Sequence, residues 1–291
     1  MAVDTLRLMA FSRPLALVAA EREGFFAAES LAIEYSQSRG SAPQIAALLA
    51  GELDLVHTAV DNVVLRVDRD GADLAVLLVA ELVISQRLVV RADIESVADL
   101  RGQTLGVDAV DSGYATLLYA MLERRGLSRD AYRVLSVGGT AERLEALLAG
   151  VIAGGMLGTP HDLQALAAGA RSLASASDDY PGYPALDVAA RRSWARAHRD
   201  LVARYSRAIV RGARWAADPA NRDRGIELLA ADGGVPREKA AAIYEAEARA
   251  REVAAPTLDQ QRASIARVIE LRHPGEVIPV ERYFDAVRDS R

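Results

Sequence analysis

The sequence predicts an α/β protein built from two lobes. Segments with the period of a strand alternate with segments with the period of a helix along most of the chain. An amphipathic helix that ends at a glycine and leads into a strand occurs twice, at 46–51 and again at 144–150. A chain of 291 residues is long enough for two domains of ordinary size, so we expect one such unit in each lobe.

The first part of the chain alternates regularly between the two periods. The pattern predicts a strand at 6–10, a helix at 15–23, a strand at 31–35, a helix at 43–50, and strands at 53–56 and 75–80. Gly24 and Gly51 end the two helices, because glycine readily adopts the left-handed conformation that follows a helix. Side chains after the third strand lie at its carboxyl end, where open α/β sheets bind ligands.

The middle of the chain is organised around the stretch 99–127. Here the pattern predicts strands at 88–90, 104–107, 133–137 and 151–157, and helices beginning near Gly113 and at 141–149. Asp111, Ser112 and Gly113 are good residues for the start of the first of these helices. Unpaired N–H groups at a helix N-terminus attract anions, so this start is a candidate anion-binding position.

The last part of the chain begins at a break rich in proline and glycine, 180–184. A strand at 186–190 and a long helix from Arg192 to about Ala217 follow, and the remainder is helical. We therefore assign residues 1–84 and 185–291 to a discontinuous first lobe and 85–184 to the second. The two crossings, near 81–88 and 180–186, are the expected hinge.

Composition excludes several classes of protein. The net charge is −5 at pH 7 and no basic run occurs, which argues against a nucleic-acid-binding protein. The absence of cysteine excludes disulfides, thiolate catalysis and cysteine-based metal sites. No run of about 18 apolar residues occurs, so we expect no membrane span. The pattern of the first strand begins near Thr5, so we expect no secretory signal within the given residues.

Three short motifs within the central stretch carry a family resemblance. The residues D-L-R-G at 99–102, L-G-V at 105–107 and S-G at 112–113 resemble a signature of type II periplasmic substrate-binding proteins. The resemblance is to the branch for aliphatic sulfonates, nitrate, taurine and thiamine pyrimidines, and 19–34 resembles its opening. It implies a two-lobed fold in which each lobe is a mixed sheet flanked by helices, with a ligand cleft between the lobes. Ala153 departs from the family, in which aspartate is common at this position.

The resemblance and the predicted strand ends together give a set of candidate ligand-binding residues. These are Phe11, Ser12, His57, Thr58, Asn62, Asp111, Ser112, Gly113, Tyr114, Thr159 and His161. Ser112 and the N–H groups of Gly113 and Tyr114 are expected to hold a negative group. Hydroxyls and amides would add hydrogen bonds, and Phe11 or Tyr114 would cover an apolar part of the ligand.

Two histidines, His57 and His161, fall at predicted strand ends in opposite lobes. They would meet across a closed cleft, which suits either a general acid/base pair or recognition of an anion or planar ring. A structural hydrogen bond is the alternative for His57, and a solvated helix residue is the alternative for His161. For Phe11 and Ser12 the alternatives are a buried aromatic ring and a solvated hydroxyl.

Two functional hypotheses follow. The first is that of a monomeric solute-binding component of an ABC importer, which closes about its hinge on a sulfonate, carboxylate or pyrimidine-like molecule and works with a permease, without cofactor or metal. The second is a cytosolic enzyme on the same fold, similar to thiamine-pyrimidine synthases, decarboxylases or dehydratases. The two histidines favour the enzyme, whereas the missing cysteine motif and the lack of a cleft lysine oppose it. We expect a periplasmic or lipid-anchored protein if a leader has been removed, and a cytoplasmic one otherwise.

Overall fold

The computed structural model of the chain describes residues 3–79, 82–185, 187–247 and 255–286. Its strands are β1 (Asp4–Ala10), β2 (Leu31–Gln37), β3 (Leu55–Thr58), β4 (Leu74–Val79), β5 (Arg87–Val90), β6 (Thr104–Val107), β7 (Arg133–Ser136), β8 (Gly154–Leu157), β9 (Arg171–Ser175) and β10 (Asp187–Arg191). Its helices are α1 (Leu15–Arg22), α2 (Phe25–Ala28), α3 (Ser41–Ala50), α4 (Val60–Asp70), α5 (Gly113–Glu123), α6 (Thr140–Leu148), α7 (His161–Ala167), α8 (Ala176–Asp179), α9 (Arg192–Ala197), α10 (Arg199–Ala217), α11 (Arg222–Gly233), α12 (Arg237–Ala246) and α13 (Leu258–Arg272).

The strands form two mixed five-stranded sheets. The first sheet has the order β2–β1–β3–β10–β4 and the second has the order β7–β6–β8–β5–β9. In each sheet one strand, β10 or β5, runs antiparallel to both neighbours, while the other described pairs are parallel. The predicted fold class, two mixed sheets flanked by helices, is confirmed.

The repeated helix–strand unit occupies the same place in both sheets. It consists of α3 and β3 in the first sheet and of α6 and β8 in the second. A glycine in the left-handed conformation follows each helix, Gly51 with φ 79° and Gly150 with φ 71°. Such backbone angles strain residues that carry a Cβ, which explains why the sequence places glycine at both turns.

The two sheets are joined by one continuous hydrophobic core. Val60 of α4, Leu118 of α5 and Ile265 of α13 belong to the same cluster of buried side chains. Tyr183, on the segment that leads from the second sheet to β10, is also part of it. A separate cluster packs α10 against the first sheet through Tyr205 and its neighbours.

Several elements differ from their predictions. The strand predicted at 53–56 lies at Leu55–Thr58, so His57 and Thr58 belong to β3 itself. The helix predicted from Arg192 to Ala217 is divided at His198, whose φ of −120° and ψ of 39° are not helical. The strand predicted at 151–157 begins only at Gly154. The lobe boundaries and the hinge stay predictions, and Ala80, Glu81 and Leu186, which they include, lie outside the described residues. Residues 248–254 and 287–291 of the predicted helical end lie outside them as well.

Candidate ligand-binding site

A cavity of about 420 Å³ lies where loops of the two sheets face each other. Residues that follow β1, β2 and β3 line it from the first sheet, and residues that follow β6, β7 and β8 line it from the second. The site therefore lies at the carboxyl ends of the parallel strands, where loops of α/β sheets bind ligands. Its volume is within the range of pockets that hold small organic molecules.

Most of the residues predicted for ligand binding line this cavity. They are Phe11, Ser12, His57, Asn62, Ser112, Gly113, Tyr114, Thr159 and His161. Thr58 and Asp111 do not line it. Thr58 is fully buried, and its hydroxyl accepts a hydrogen bond from the Asn62 amide at 2.9 Å. Asp111 forms an ion pair with Arg69, at 2.7 Å between Nη1 and Oδ2.

The N-terminus of α5 contacts the first lobe directly. Ser112 caps the helix by accepting a hydrogen bond from the Ala115 N–H at 3.2 Å. The Gly113 N–H, predicted to hold an anion, donates to Asn62 Oδ1 at 3.4 Å. A Cβ at Gly113 would lie 2.4 Å from the Asp61 Cβ, so only glycine allows this approach. In this arrangement the amide of Gly113 joins the lobes.

Asp61 is the centre of a buried polar cluster beside this contact. Its carboxylate accepts a hydrogen bond from the Tyr183 hydroxyl and pairs with Arg272 Nε at 2.9 Å. Burial, together with the Asp61 charge, raises the pKa of Tyr183 well above its ordinary value. Arg272 also donates to the backbone carbonyl of Asp111 at 3.3 Å. The cluster thus connects α4, α13 and the start of α5.

Arg143 is a buried cation on the wall of the cavity. Its side chain is 3% exposed, and its Nε and Nη1 donate to the carbonyls of Met156 and Gly138 at 3.0 and 2.8 Å. Nη2 donates to the Thr140 hydroxyl at 3.1 Å. Among the described residues, no carboxylate lies within ion-pair distance of this guanidinium. Burial lowers its pKa, the nearby charges of Asp108 and Glu142 oppose this shift, and a guanidinium remains charged in proteins.

Sequence reasoning missed Arg143, although one signal was present. Arg143 directly precedes Leu144 and lies four residues before Leu147, and all three are the buried residues of α6. Arginines on helices are usually solvated, so the charge by itself pointed to the surface. The signal is the alignment of the repeated unit, which places Arg143 where the first unit has the buried residue Gln44.

Asp108 is a second cavity residue that the sequence did not single out. Its carboxylate accepts hydrogen bonds from the hydroxyls of Ser41, in the first lobe, and Ser112, in the second. His161 lines the same cavity; burial lowers its pKa, and the Arg143 charge lowers it further. The second-lobe wall therefore carries both a cation and an anion.

The sequence profile of the family described as NMT1/THI5 like matches residues 14–222. The chain belongs to this family. Its fold is similar to that of the alkanesulfonate-binding protein SsuA of Xanthomonas axonopodis pv. citri bound to MOPS, with a TM-score of 0.76, 19% identity and coverage of 98% of this chain and 99% of that one.

Two further solved structures share the fold. The periplasmic nitrate-binding protein NrtA of Synechocystis has a TM-score of 0.71 and 15% identity, over 81% of this chain and 69% of that one. DSZB in complex with biphenyl-2-sulfinic acid has a TM-score of 0.66 and 19% identity, over 97% of this chain and 96% of that one. No protein of curated function matches the sequence significantly.

In this NMT1/THI5-like chain, His57 has a structural partner. Its Nε2 lies 2.6 Å from the Tyr205 hydroxyl of α10, and burial lowers its pKa to about 4. His57 is therefore neutral at pH 7 and fixed by the first-lobe core, which is the structural alternative weighed for it. His57 and His161 both line the cavity.

The described part of this NMT1/THI5-like chain has neither a metal site nor a membrane span. No group of three or more histidine, aspartate or glutamate side chains in it is arranged to hold a metal ion. None of its helices combines the length and the apolar character that crossing a membrane requires.

Proposed function

We propose that this protein binds a small organic acid in the cavity between its lobes, as the solute-binding component of an ABC importer. The observation that carries the proposal is the buried guanidinium of Arg143, which faces the cavity without an ion-paired carboxylate among the described residues. A buried charge is costly unless it is paired. The charges of Asp108 and Glu142 act on Arg143, but neither carboxylate pairs with it directly. An anionic ligand would supply a direct partner, and arginine is well suited to sulfonate or carboxylate oxygens because its fork of N–H groups donates twice.

The apolar part of the cavity lining supports an organic ligand over a bare inorganic anion. It includes Leu15, Leu78, Ile84, Ile209 and Val210. The volume of about 420 Å³ is within the range of pockets for small organic molecules and is far more than a small oxyanion needs. An alkyl or aryl body would fill the remaining space and remove apolar surface from water.

The comparisons support the transport role. Two of the named neighbours are binding proteins for alkanesulfonate and nitrate, and the third holds a sulfinic acid. All three ligands are acids or their anions, as the Arg143 site requires. On this proposal the protein acts as a monomer in the periplasm or at a lipid anchor. It closes about the two crossings near 81–88 and 180–186 and delivers its ligand to a permease.

Calorimetric titration with aliphatic and aryl sulfonates and carboxylates tests the proposal. We expect binding to the wild type and a loss of affinity of about 100-fold in Arg143→Gln, because the charge-assisted hydrogen bonds to the acid are lost. Arg133→Gln is the matched control, since it removes an exposed arginine from β7 of the same lobe. Equal affinity in Arg143→Gln and wild type would contradict the proposal. Mass analysis of each mixture detects a converted ligand, the outcome that favours the enzyme hypothesis.

A further inference from the structure

The imidazole of His161 differs from those of the other three histidines. Each of those three lies within hydrogen-bond distance of a partner, which is a tyrosine hydroxyl, a backbone carbonyl or a carboxylate. His161 is half-buried and lines the cavity, and its imidazole has no hydrogen bond to any residue that the structure describes. Both ring nitrogens keep surface that is open to solvent. A titratable group on the cavity wall is thus left unused by the fold.

His161 lies beside Arg143 in the second lobe. It begins α7, and α7 packs against α6 through Leu144, Leu147 and Ala165. Both side chains line the cavity, so an acid bound at Arg143 shares this space with the imidazole. An imidazolium donates a charge-assisted hydrogen bond to an acid, whereas a neutral imidazole donates a weaker one.

In the protein without ligand, the surroundings of His161 oppose its protonation. Burial lowers the pKa of His161, and the nearby charge of Arg143 lowers it further. Both effects disfavour a second positive charge on this wall. An acid bound to Arg143 places a negative charge in the cavity, which offsets the effect of the guanidinium and raises the pKa of the imidazole. Below that raised pKa, the imidazole takes up a proton when the acid binds.

Other charged groups surround the imidazole, and none of them reverses this balance. Asp162 and Glu142 raise its pKa and Lys239 of α12 lowers it, each more weakly than burial does. Of the strands that α7 packs against, β5 contributes Arg87, whose Nη1 lies 3.6 Å from Asp162 Oδ2, and β9 contributes Arg171, which lies outside the cavity lining. These groups are present with and without ligand, so the acid is the charge that changes.

We infer that the acid binds together with a proton, which His161 accepts, so that the affinity is higher at mildly acidic than at neutral pH. The inference rests on the proposed function, because it concerns how the same site is regulated. By reciprocity, the ligand and the proton raise each other's affinity for the protein by the same factor. The protein therefore loads its acid more readily from an acidic medium and releases it more readily as the pH rises.

Calorimetric titration with butanesulfonate and benzenesulfonate between pH 5.5 and 8 tests this inference. Sulfonates stay ionised over this range, and carboxyl side chains ordinarily titrate below it, at about pH 4. His57, whose pKa burial lowers to about 4, stays neutral as well. We expect the affinity of the wild type to rise about tenfold from pH 8 to pH 5.5, because imidazole titrates in this window. Binding at pH 6.5 should also take up part of a proton, which calorimetry in buffers of different ionisation enthalpy measures.

The variant His161→Gln keeps a hydrogen-bond donor but cannot take up a proton. We expect its affinity for the two sulfonates to be nearly the same at both ends of the pH range. His198→Gln is the matched control, since it makes the same change at an exposed histidine outside the cavity and should keep the rise in affinity. If His161→Gln does not fold, NMR titration of the wild type provides the second measurement. One imidazole must then have a higher pKa with sulfonate than without it.

The outcomes separate this inference from the proposed function. An affinity of the wild type that is independent of pH, or a rise that His161→Gln retains, overturns the inference, while binding that depends on Arg143 still stands. Imidazole pKa values that sulfonate leaves unchanged overturn it as well. If only carboxylates bind, benzoate replaces the sulfonates, since carboxylates are also largely ionised in this range. Failure of all these acids to bind at every pH, or binding that Arg143→Gln leaves intact, overturns the proposed function and the inference with it.

Discussion

The two lobes use one structural unit with different chemistry at its buried polar position. In the first lobe, Gln44 of α3 donates from Nε2 to the His57 carbonyl of β3 at 3.0 Å. In the second, Arg143 of α6 donates from Nε to the Met156 carbonyl of β8 at the same distance. Arg143 follows Gln44 in the sequence by the same number of residues as Met156 follows His57, so the two pairs occupy equivalent positions in the repeated unit. A neutral amide therefore suffices to join helix and strand, and the positive charge of Arg143 is not needed to build the unit.

The strand residue that accepts this hydrogen bond also differs between the lobes. The carbonyls that accept these bonds belong to His57 in the first lobe and Met156 in the second. His57 is a buried titratable group, whereas Met156 is buried and apolar. Protonation of His57 can therefore change the stability of the first-lobe unit. The second-lobe unit has no titratable group at this position. Exchanging residues between the two units tests both differences.

The largest effect is expected when the second-lobe cation is placed in the first lobe. Gln44 is fully buried, and its amide also donates to the Met9 carbonyl at 3.1 Å. Gln44→Arg would bury a charge without a carboxylate partner, and we expect the free energy of unfolding to fall by about 3–5 kcal/mol. Urea unfolding measures this change. Gln44→Met has a similar volume and no charge, so it measures the effect of losing the Gln44 hydrogen bonds alone. If both variants lower the free energy of unfolding equally, the buried charge is not the cause of the loss in Gln44→Arg.

An intermediate effect is expected from exchanging the strand residue, and it depends on pH. The pKa of His57 is lowered from 6.5 to about 4 by burial. Between these values the unfolded chain binds a proton that the folded protein does not. The free energy of unfolding therefore falls as the pH decreases through this window, by at most about 3 kcal/mol.

The variant His57→Met should remove this part of the pH dependence. Urea unfolding at several pH values between 7 and 4.5 measures it, as the difference between variant and wild type. Tyr205→Phe is the control, because it removes the hydrogen bond to His57 but keeps the imidazole. A pH dependence that is the same in His57→Met and wild type would show that other groups are responsible.

The smallest effect is expected when the first-lobe amide is placed in the second lobe. The amide of Arg143→Gln can donate to the Met156 carbonyl as Gln44 donates to that of His57. We therefore expect the free energy of unfolding without ligand to change by about 1 kcal/mol or less. Thermal unfolding measures this, and the loss of ligand affinity in the same variant provides the contrast. A loss of several kcal/mol would mean that the guanidinium is structural.

Local patterns predicted most of the fold because most elements have a strong period or a clear end signal. The strand β6 has the predicted bounds, Thr104–Val107, and α5 begins at the predicted glycine. The edge strand β9 was not predicted, since only one of its five residues is buried and no apolar alternation marks it. The break at His198 was missed as well, because no proline or glycine marks it.

The candidate site was less accessible to sequence reasoning than the fold. Strand ends identified the loops that line the cavity, but not which side chains turn inward. Arg143 is buried only because β8 and the loop after β7 supply carbonyls to it. The partner of His57 comes from α10, far along the chain. Such contacts depend on tertiary packing, which a local pattern does not contain.

The position of β10 has a consequence for the order in which the lobes form. In the first sheet β10 lies between β3 and β4 and pairs with both, although it follows the whole second sheet in the chain. The strands β5–β9 are contiguous in sequence, so every pairing of the second sheet is made within residues 87–175. As the chain leaves the ribosome, the first sheet stays divided until β10 emerges. The lobe that is synthesised first is thus the one completed last.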